Sequence, residues 1–342
     1  MRSRTNCSVS SGEVHAWALK WLVQAKLLKD HGWRCTAEAV LNVVLRAAGR
    51  SISVSAACRD LSQGPSDQAV MTALEEGLPK TLPVLERRLN ESLTGELPRR
   101  MKRRSWQVAI DWHLSPYYGQ PHQSRNELYY GKPRQGTKKF HAYASACIVE
   151  YGQRYTLAFT WVRRHESMVV VLRRLLARIR EIGLKIKLLL LDRAFFNVPV
   201  VELLQQQSLP FLMPVMFRGR KPKKRRPATG LRWIKQQAAG WYTHTMRNKK
   251  REVTVSVSVG YRTHKNRKDG KQKQQKLLFV ALALILRNLW VWIHQTQMAD
   301  GHGDSLTLRL ERLRFKRMLD WIVHQIQNLY HDGSTPCVEW DP

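Results

Sequence analysis

Two aspartates stand where they could bind a metal ion. Asp111 follows the apolar residues 108–110, and Asp192 closes a run of four leucines at residues 188–191. We expect an acid at the end of a buried strand to be desolvated, so that it must be paired, hydrogen-bonded or bound to a metal. Two such acids in one sheet are candidates to share a cation, because Mg²⁺ prefers carboxylate oxygens as protein ligands.

Phosphodiester chemistry requires hard cations held by carboxylates in this way. With two Mg²⁺ ions about 3.5 to 4 Å apart, one activates the attacking oxygen and the other stabilises the leaving oxygen. The alternative is structural, since each aspartate could pair with a nearby base, and Arg193 directly follows Asp192. For either aspartate alone the structural role is the simpler interpretation, and it is the basic composition of the chain that favours a metal.

The composition predicts a polyanionic partner. The 342 residues include 58 Lys and Arg against 26 Asp and Glu, a formal charge of +32, while a 43% hydrophobic content excludes a disordered polycation. Nucleic acid is the commonest partner for such charge. A membrane partner is not expected, because the longest apolar run, residues 277–286, has ten residues, and a membrane-spanning helix needs about 20.

The N-terminus and the cysteines narrow the class further. The first residues lack the apolar segment of a secretory signal, which predicts a location in the cytoplasm or on the nucleoid. The five cysteines are odd in number and form no Cys-x-x-Cys pair, so neither a disulfide framework nor a structural zinc site is expected.

The first hundred residues have the patterns of short helices. Apolar spacing predicts helices over residues 14–28, 36–48, 51–61 and 66–76, with Thr36 as the N-cap of the second. The turn at residues 62–65, Ser-Gln-Gly-Pro, is of the kind found in helix-turn-helix units, but such turns also join helices in other domains. DNA reading and simple helix pairing therefore both remain open for this pair.

After a basic segment at residues 97–104, strand patterns begin. We predict a strand over 106–112, a hairpin of strands 140–149 and 154–162, a helix capped by Ser167 and ended by Gly183, a buried strand over 185–191, a helix over 198–207 and an apolar strand within 211–216. A helix that joins two strands of one sheet implies a crossover connection. The predicted fold class is therefore α/β, a mixed sheet flanked by helices.

Charge dominates the segment that follows. Residues 218–226 hold seven bases in nine positions, residues 252–259 alternate as a half-exposed strand would, and residues 262–276 hold seven more bases. Solvated loops on a small β-subdomain are the alternative, but only Asp269 could neutralise them, which favours phosphate contact. The candidate DNA-binding residues are Arg218, Arg220, Lys221, Lys223, Lys224, Arg225, Arg226, Arg262, Lys265, Arg267 and Lys268.

Five segments together resemble the DDE transposases of bacterial and archaeal insertion sequences. They are IDWHLSPYYG (110–119), FHAYA (140–144), LLLDRAFF (189–196), PFLMPV (210–215) and ALILRNLWVW (283–292). The resemblance implies a ribonuclease H-like catalytic domain at residues 101–295 with a β-rich basic insertion at about 218–276. It also implies a helical DNA-binding domain at 1–100 and a C-terminal helix and tail at 296–342.

The resemblance also implies the chemistry. Asp111 and Asp192 match the first two metal-binding acids of the family's catalytic triad, with Mg²⁺ as the cofactor and Mn²⁺ as its substitute. The implied activity is nicking of double-stranded DNA at transposon ends, followed by joining to a target. Homodimerisation on paired ends is an expectation from the resemblance alone.

The family's third acid is missing from this chain. It is a glutamate in a pattern Tyr-x-x-Arg-x-x-x-Glu-x-x-x-x-x-x-Lys, which occurs nowhere here, and neither Glu252, Asp300 nor Glu311 has a matching context. One Leu-Leu-Phe-Val-Ala segment, residues 277–281, stands where the last strand of the insertion and the start of the final helix would each need one. We therefore hypothesise an internal deletion that removed the glutamate-bearing helix.

Three functions are then compatible with the sequence. The first is a transposase of impaired activity, and the second is a catalytically defective remnant that still binds transposon ends. The third is a basic protein that coats RNA or DNA without sequence preference, against which the two strand-end aspartates argue.

Overall fold

The computed structural model describes residues 9–32, 35–120, 125–150, 153–223, 226–248, 251–260, 277–298 and 310–330. Its helices are α1 (Ser11–Gln24), α2 (Ala37–Arg50), α3 (Val54–Arg59), α4 (Asp67–Gly77), α5 (Leu82–Thr94), α6 (Met168–Glu181), α7 (Val198–Gln206), α8 (Leu231–Ile234), α9 (Leu277–Thr296) and α10 (Phe315–Leu329). Its strands are β1 (Ser105–Pro116), β2 (Tyr129–Arg134), β3 (Thr137–Glu150), β4 (Gln153–Val162), β5 (Lys185–Leu191), β6 (Phe211–Leu212), β7 (Gly240–Arg247) and β8 (Glu252–Val259).

The chain forms two compact units that are discontinuous in sequence. The helical unit comprises residues 1–103, 151–159 and 276–342, and the sheet unit comprises residues 104–150 and 160–275. The domains predicted from the sequence, at residues 1–100, 101–295 and 296–342, are instead continuous segments. That division stays a prediction.

Side-chain caps begin the helices of the helical unit. Thr36 accepts a hydrogen bond from the Ala39 N–H at 3.2 Å, which confirms the predicted cap of α2. Ser53 and Ser66 cap α3 and α4 in the same way. Each cap satisfies a backbone donor that has no partner within the first turn of its helix. These short helices are thus started where the sequence predicts them to within a few residues.

Buried polar groups join α10 to α2 within the helical unit. The Arg46 side chain is only 4% exposed, and its guanidinium donates to the Val323 carbonyl at 3.4 Å and to the Asp60 carboxylate at 3.2 Å. Gly49 lies where an added Cβ would be 2.7 Å from the Val323 side chain. The C-terminal helix therefore completes the core of the N-terminal helices.

Two asparagines hold the first part of β4 in the same unit. Asn288, from α9, is fully buried; it accepts from the Thr156 N–H at 2.7 Å and donates to the Thr156 and Leu93 carbonyls at 2.7 and 3.0 Å. Asn90, from α5, exchanges two bonds of 2.9 Å with the Phe159 backbone. An amide side chain offers both a donor and an acceptor, so each asparagine pairs with a strand residue as a neighbouring strand would.

The sheet unit has the predicted α/β architecture. Its strand order is β2-β3-β1-β5-β6, and β4, which ends in this unit, pairs with β3. β1 and β3 are antiparallel, whereas β5 is parallel to β1 and β6 is parallel to β5. α6 and α7 make the crossover connections. This order of an antiparallel meander followed by parallel strands confirms the ribonuclease H-like fold.

Several elements differ from the predictions. β1 runs on to Pro116, because β3 continues to pair with it as far as Phe140. The apolar segment at residues 211–216 forms only the two-residue strand β6, and β5, predicted to be buried, exposes its lysines. Residues 277–281, predicted to close the insertion as a strand, belong to α9.

Candidate functional site

The strand register places Asp111 and Asp192 side by side. The last residue pair of the parallel β1–β5 ladder is Ile110 with Leu191, so the next residue of each strand is the aspartate. Ile110 and Leu191 are buried, and alternation along a strand turns the following side chains to the opposite face. The two predicted metal ligands therefore occupy adjacent positions on neighbouring strands.

Both carboxylates are held by the same local contact. Asp111 Oδ1 accepts the N–H of Trp112 at 2.8 Å, and Asp192 Oδ1 accepts the N–H of Arg193 at 2.6 Å. Asp192 thereby caps the 3₁₀ turn Arg193–Phe195. Among the described residues no other hydrogen bond to either carboxylate is formed. Each aspartate thus has one oxygen fixed by the backbone and the second available to a ligand.

The prediction that these acids are desolvated is wrong. Both side chains are exposed, because the apolar residues of β1 and β5 pack on the other face of the sheet. An exposed carboxylate is hydrated and needs no buried partner. Burial therefore does not require a cation at these acids, and it is their adjacent placement and their lack of basic partners among the described residues that favour one.

Most other acids of the sheet unit form ion pairs with arginines. Five glutamates each form an ion pair with an arginine: Glu150–Arg104 at 2.5 Å, Glu166–Arg174 at 2.8 Å, Glu181–Arg178 at 3.1 Å, Glu252–Arg247 at 2.6 Å, and Glu202–Arg251. Within the described part of the chain neither Asp111 nor Asp192 has such a partner. Arg193 meets Asp192 through its backbone N–H, so the alternative of a side-chain ion pair between them is not what the structure shows.

The donor set fits a hard divalent cation but is incomplete. Carboxylate oxygens suit Mg²⁺ and Mn²⁺ better than softer metals. In the described ranges no cluster of three or more His, Cys, Asp or Glu side chains is arranged to hold a metal. α9 contains neither aspartate nor glutamate. Asp111 and Asp192 could therefore hold one cation, with water completing its coordination.

The predicted DNA-binding loop presents unpaired bases. Arg218, Arg220, Lys221, Lys223 and Arg226 are exposed, and no ion pair to them occurs within the described residues. Exposed and unneutralised bases of this kind are what phosphate contact requires. Lys224, Arg225, Arg262, Lys265, Arg267 and Lys268 lie outside the described residues.

Hydrogen bonds hold the backbone of the described residues of this loop. Lys223 and Arg226 exchange two backbone hydrogen bonds of 2.9 Å, and Thr229 Oγ1 accepts from the Arg220 N–H at 2.9 Å. Gly219 has a φ of 111°, and a Cβ there would lie 1.9 Å from the Thr229 carbonyl oxygen, so only glycine fits. The described bases are thus presented from a backbone that hydrogen bonds hold in place.

The β7–β8 hairpin has an exposed face, of which the sequence predicted the half-exposed strand at residues 252–259 but not β7. Trp241, 75% exposed, stands at one end of this face opposite Ser258. The hydroxyl side chains that continue the face are Thr243, Thr245, Thr254 and Ser256. The alternation of residues 240–247 was the available signal. The hairpin adds an exposed aromatic ring and a row of hydroxyls to the basic loop.

The charge of α4 argues against phosphate contact by the predicted helix-turn-helix. Its sequence, DQAVMTALEEG, has no base, and Asp67, Glu75 and Glu76 are exposed. Like charges repel, so α4 is not suited to lie against DNA phosphates. The interpretation of α3 and α4 as a simple helix pair agrees with this better than DNA reading by α4.

Comparisons with known proteins bear on the family. The family model described as "Transposase DDE domain" matches residues 102–286, which is more than half of the chain and includes both aspartates. A solved structure, "Cryo-EM structure of piggyBac transposase synaptic complex with hairpin DNA", matches with a TM-score of 0.46 and 12% identity over 93% of this chain and 78% of that one. No curated protein matches.

Across the described residues, no helix is both long enough and apolar enough to cross a bilayer. The family match covers the strands that carry Asp111 and Asp192, and the topology around them is the ribonuclease H-like order. The chain belongs to the DDE transposase family.

Proposed function

We propose that this protein binds the DNA ends of its insertion sequence and holds one divalent cation with Asp111 and Asp192, but cuts DNA weakly or not at all. The observation that carries the proposal is the adjacent pair of exposed aspartates, which have no basic partner among the described residues in a strongly basic unit. A carboxylate pair left unneutralised there is available to Mg²⁺ or Mn²⁺.

The charge of the sheet unit supports double-stranded DNA as the partner. This unit contains 34 Lys and Arg against 9 Asp and Glu, a formal charge of +25. Neutralising phosphates releases condensed counterions, which drives binding and makes it depend on salt. The exposed bases Arg218, Arg220, Lys221, Lys223 and Arg226 would contact the DNA backbone and set its position relative to the aspartates.

The missing acid limits the chemistry. A cation bound here supplies charge neutralisation at a phosphate and activation of an attacking oxygen. Asp111 and Asp192 hold and orient that cation, but the chain offers no third carboxylate for a second one within the described residues. Loss of such a ligand is expected to cost on the order of several kcal/mol of transition-state stabilisation. Binding without efficient cutting is the expected result.

The test is cleavage of labelled DNA that carries the element's own ends, in Mg²⁺ and in Mn²⁺. The purified full chain is compared with Asp111→Ala, Asp192→Ala and the control Glu181→Ala, which removes a carboxylate that is paired with Arg178. We expect all four proteins to retard the DNA and none to cut it efficiently. Cutting by the unmodified chain that both aspartate variants abolish would show an active transposase and overturn the proposed defect.

The same experiment separates a general coating protein. Competition with unlabelled DNA of random sequence measures preference for the element's ends. Specific end binding predicts that random DNA competes at least tenfold less well, because specific sites exceed non-specific ones by orders of magnitude. Equal competition would favour non-specific coating.

A further inference from the structure

A serine lies directly across the strand from Asp111. In the antiparallel β1–β3 ladder, Asp111 pairs with Ser145 and His113 pairs with Tyr143. Residues two apart on one strand share a face, so Asp111, Ser145 and His113 lie on the same face of the sheet. The imidazole Nε2 of His113 lies 2.9 Å from Ser145 Oγ. A histidine and a serine thus form a hydrogen-bonded pair beside the proposed cation ligand.

Ser145 places a hydroxyl in a buried part of β3. Ser145 is 5% exposed and lies between Ala144 and Ala146, which are fully buried. A buried hydroxyl costs free energy unless it is hydrogen-bonded. His113 uses one of its bonding positions, and among the described residues Ser145 has no second partner. A hydroxyl can both donate and accept, so one hydrogen-bonding position of Ser145 remains open.

The register of the β1–β3 ladder favours Asp111 as the second partner, although no hydrogen bond joins the two side chains in this structure. Side chains directly opposite in an antiparallel pair have Cβ atoms about 4.5 to 5.5 Å apart, within reach of a serine hydroxyl and a carboxylate. Asp111 Oδ1 is occupied by the Trp112 N–H, which leaves Oδ2. A hydroxyl in this place can fix the orientation of that oxygen.

We propose that Ser145, held by His113, is a positioning residue that orients the Asp111 carboxylate for cation binding. This inference rests on the proposed function, because it assigns Asp111 a cation. Groups that hydrogen-bond to metal ligands fix the ligand's orientation, and their loss weakens metal affinity by about 10 to 100-fold. Ser145 would act in this way through Asp111, without contacting the cation.

The experiment is a titration of the full chain with Mn²⁺, in which free Mn²⁺ is followed by electron paramagnetic resonance. Ser145→Ala is expected to weaken Mn²⁺ binding about tenfold, and Ser145→Thr, which keeps the hydroxyl and suits a strand, is expected to bind as the unmodified chain does. The control is Cys147→Ala, on the same strand and face and opposite Ala109. It is expected to leave Mn²⁺ affinity unchanged.

His113→Leu is the second variant. It leaves Ser145 in place but removes its partner, and it is expected to weaken binding in the same direction. The double variant with Ser145→Ala is expected to lose less than the product of the two single effects, because residues that act as a unit are not additive. Independent effects that multiply would overturn the role of His113.

The outcomes distinguish this inference from the proposed function. If Asp111→Ala abolishes Mn²⁺ binding while Ser145→Ala binds normally, the inference is wrong and the cation site stands. If the unmodified chain binds no more Mn²⁺ than Asp111→Ala does, both are wrong. A lower melting temperature of Ser145→Ala with unchanged affinity would show a structural role alone.

Discussion

The two units of this molecule use charge in opposite ways. The helical unit has 24 Lys and Arg against 17 Asp and Glu, a formal charge of +7, whereas the sheet unit has +25. In the helical unit a base such as Arg46 is buried and satisfied by Val323 and Asp60. In the sheet unit the loop bases Arg218, Arg220, Lys221, Lys223 and Arg226 are exposed and lack ion partners within the described residues. The excess charge therefore belongs to the unit that carries the aspartates, and a polyanion is expected to bind there.

Removing the loop charges is expected to have the largest effect. Alanine at Arg218, Arg220, Lys221, Lys223 and Arg226 should weaken DNA binding by about a hundredfold or more and reduce the slope of log affinity against log salt by up to about 4 to 5, since each lost phosphate contact contributes about 0.9. Fluorescence anisotropy at several salt concentrations measures both.

A matched set of five changes in the helical unit is the control. The exposed bases to replace are Lys26, Lys29, Arg50, Arg59 and Lys80. We expect a reduction in the salt slope of less than about 1. Equal losses from the two sets would break the comparison, because they would mean that DNA contact is spread over both units.

Asn288→Ala tests whether buried polar groups stabilise the fold of the helical unit. The change leaves the Thr156 N–H and two carbonyls without their partner. Each buried polar group left without a partner costs up to about 1 to 3 kcal/mol. Because water or small shifts can satisfy part of this loss, we expect the free energy of unfolding to fall by about 2 to 4 kcal/mol in total. Urea denaturation measures this loss, and Asn328→Ala, exposed on α10, is expected to cost less than about 0.5 kcal/mol.

Trp241→Ala tests whether one exposed aromatic ring of the sheet unit contributes to DNA binding beyond the loop charges. An exposed aromatic ring can stack on an unpaired base, and such stacking contributes about 1 to 3 kcal/mol. We expect about tenfold weaker binding to DNA with single-stranded ends and little change for blunt duplex. Trp233→Ala removes a ring that is 47% exposed and serves as the control. Equal effects of the two changes would argue against a specific stacking position.

The smallest expected effect is a dependence of stability on pH in the helical unit. Burial lowers the pKa of His294 below its usual range, although the hydrogen bond to the Leu313 carbonyl acts in the other direction. Its Nδ1 atom is buried and has no hydrogen-bond partner among the described residues, so protonation there is unfavourable. The unfolded chain takes up this proton below about pH 6.5, whereas the folded chain resists it. The free energy of unfolding should therefore fall as pH drops below about 6.5, by less than about 1.4 kcal/mol per pH unit.

His294→Gln is the variant for this prediction, because glutamine keeps a donor for the Leu313 carbonyl and does not titrate. Urea denaturation at pH 7 and pH 5.5 measures the difference between the two proteins. An unchanged pH dependence in His294→Gln would assign the effect to other groups.

Local patterns were sufficient to predict the capped helices and much of the order of elements along the chain, because each depends on residues close in sequence. Thr36 capped α2 as predicted, and the strand-helix-strand order that places Asp192 after β5 was correct. The exposure of the two aspartates was not predictable in this way, since it depends on which face of the sheet each strand presents. β7 was missed although residues 240–247 alternate, and α8 was missed because four residues are too few to show a helical period.

The contact of Arg46 with Val323 also has a consequence for the order of events during synthesis. The two residues are 277 positions apart. At about 5 to 20 residues per second, the ribosome needs roughly 15 to 55 seconds to make the second after the first. During that interval α2 has been made but α10 has not. The apolar face of α2 and the Arg46 guanidinium therefore lack the contacts that α10 later provides. A nascent chain of this protein is therefore expected to need protection from aggregation until its last helix is made.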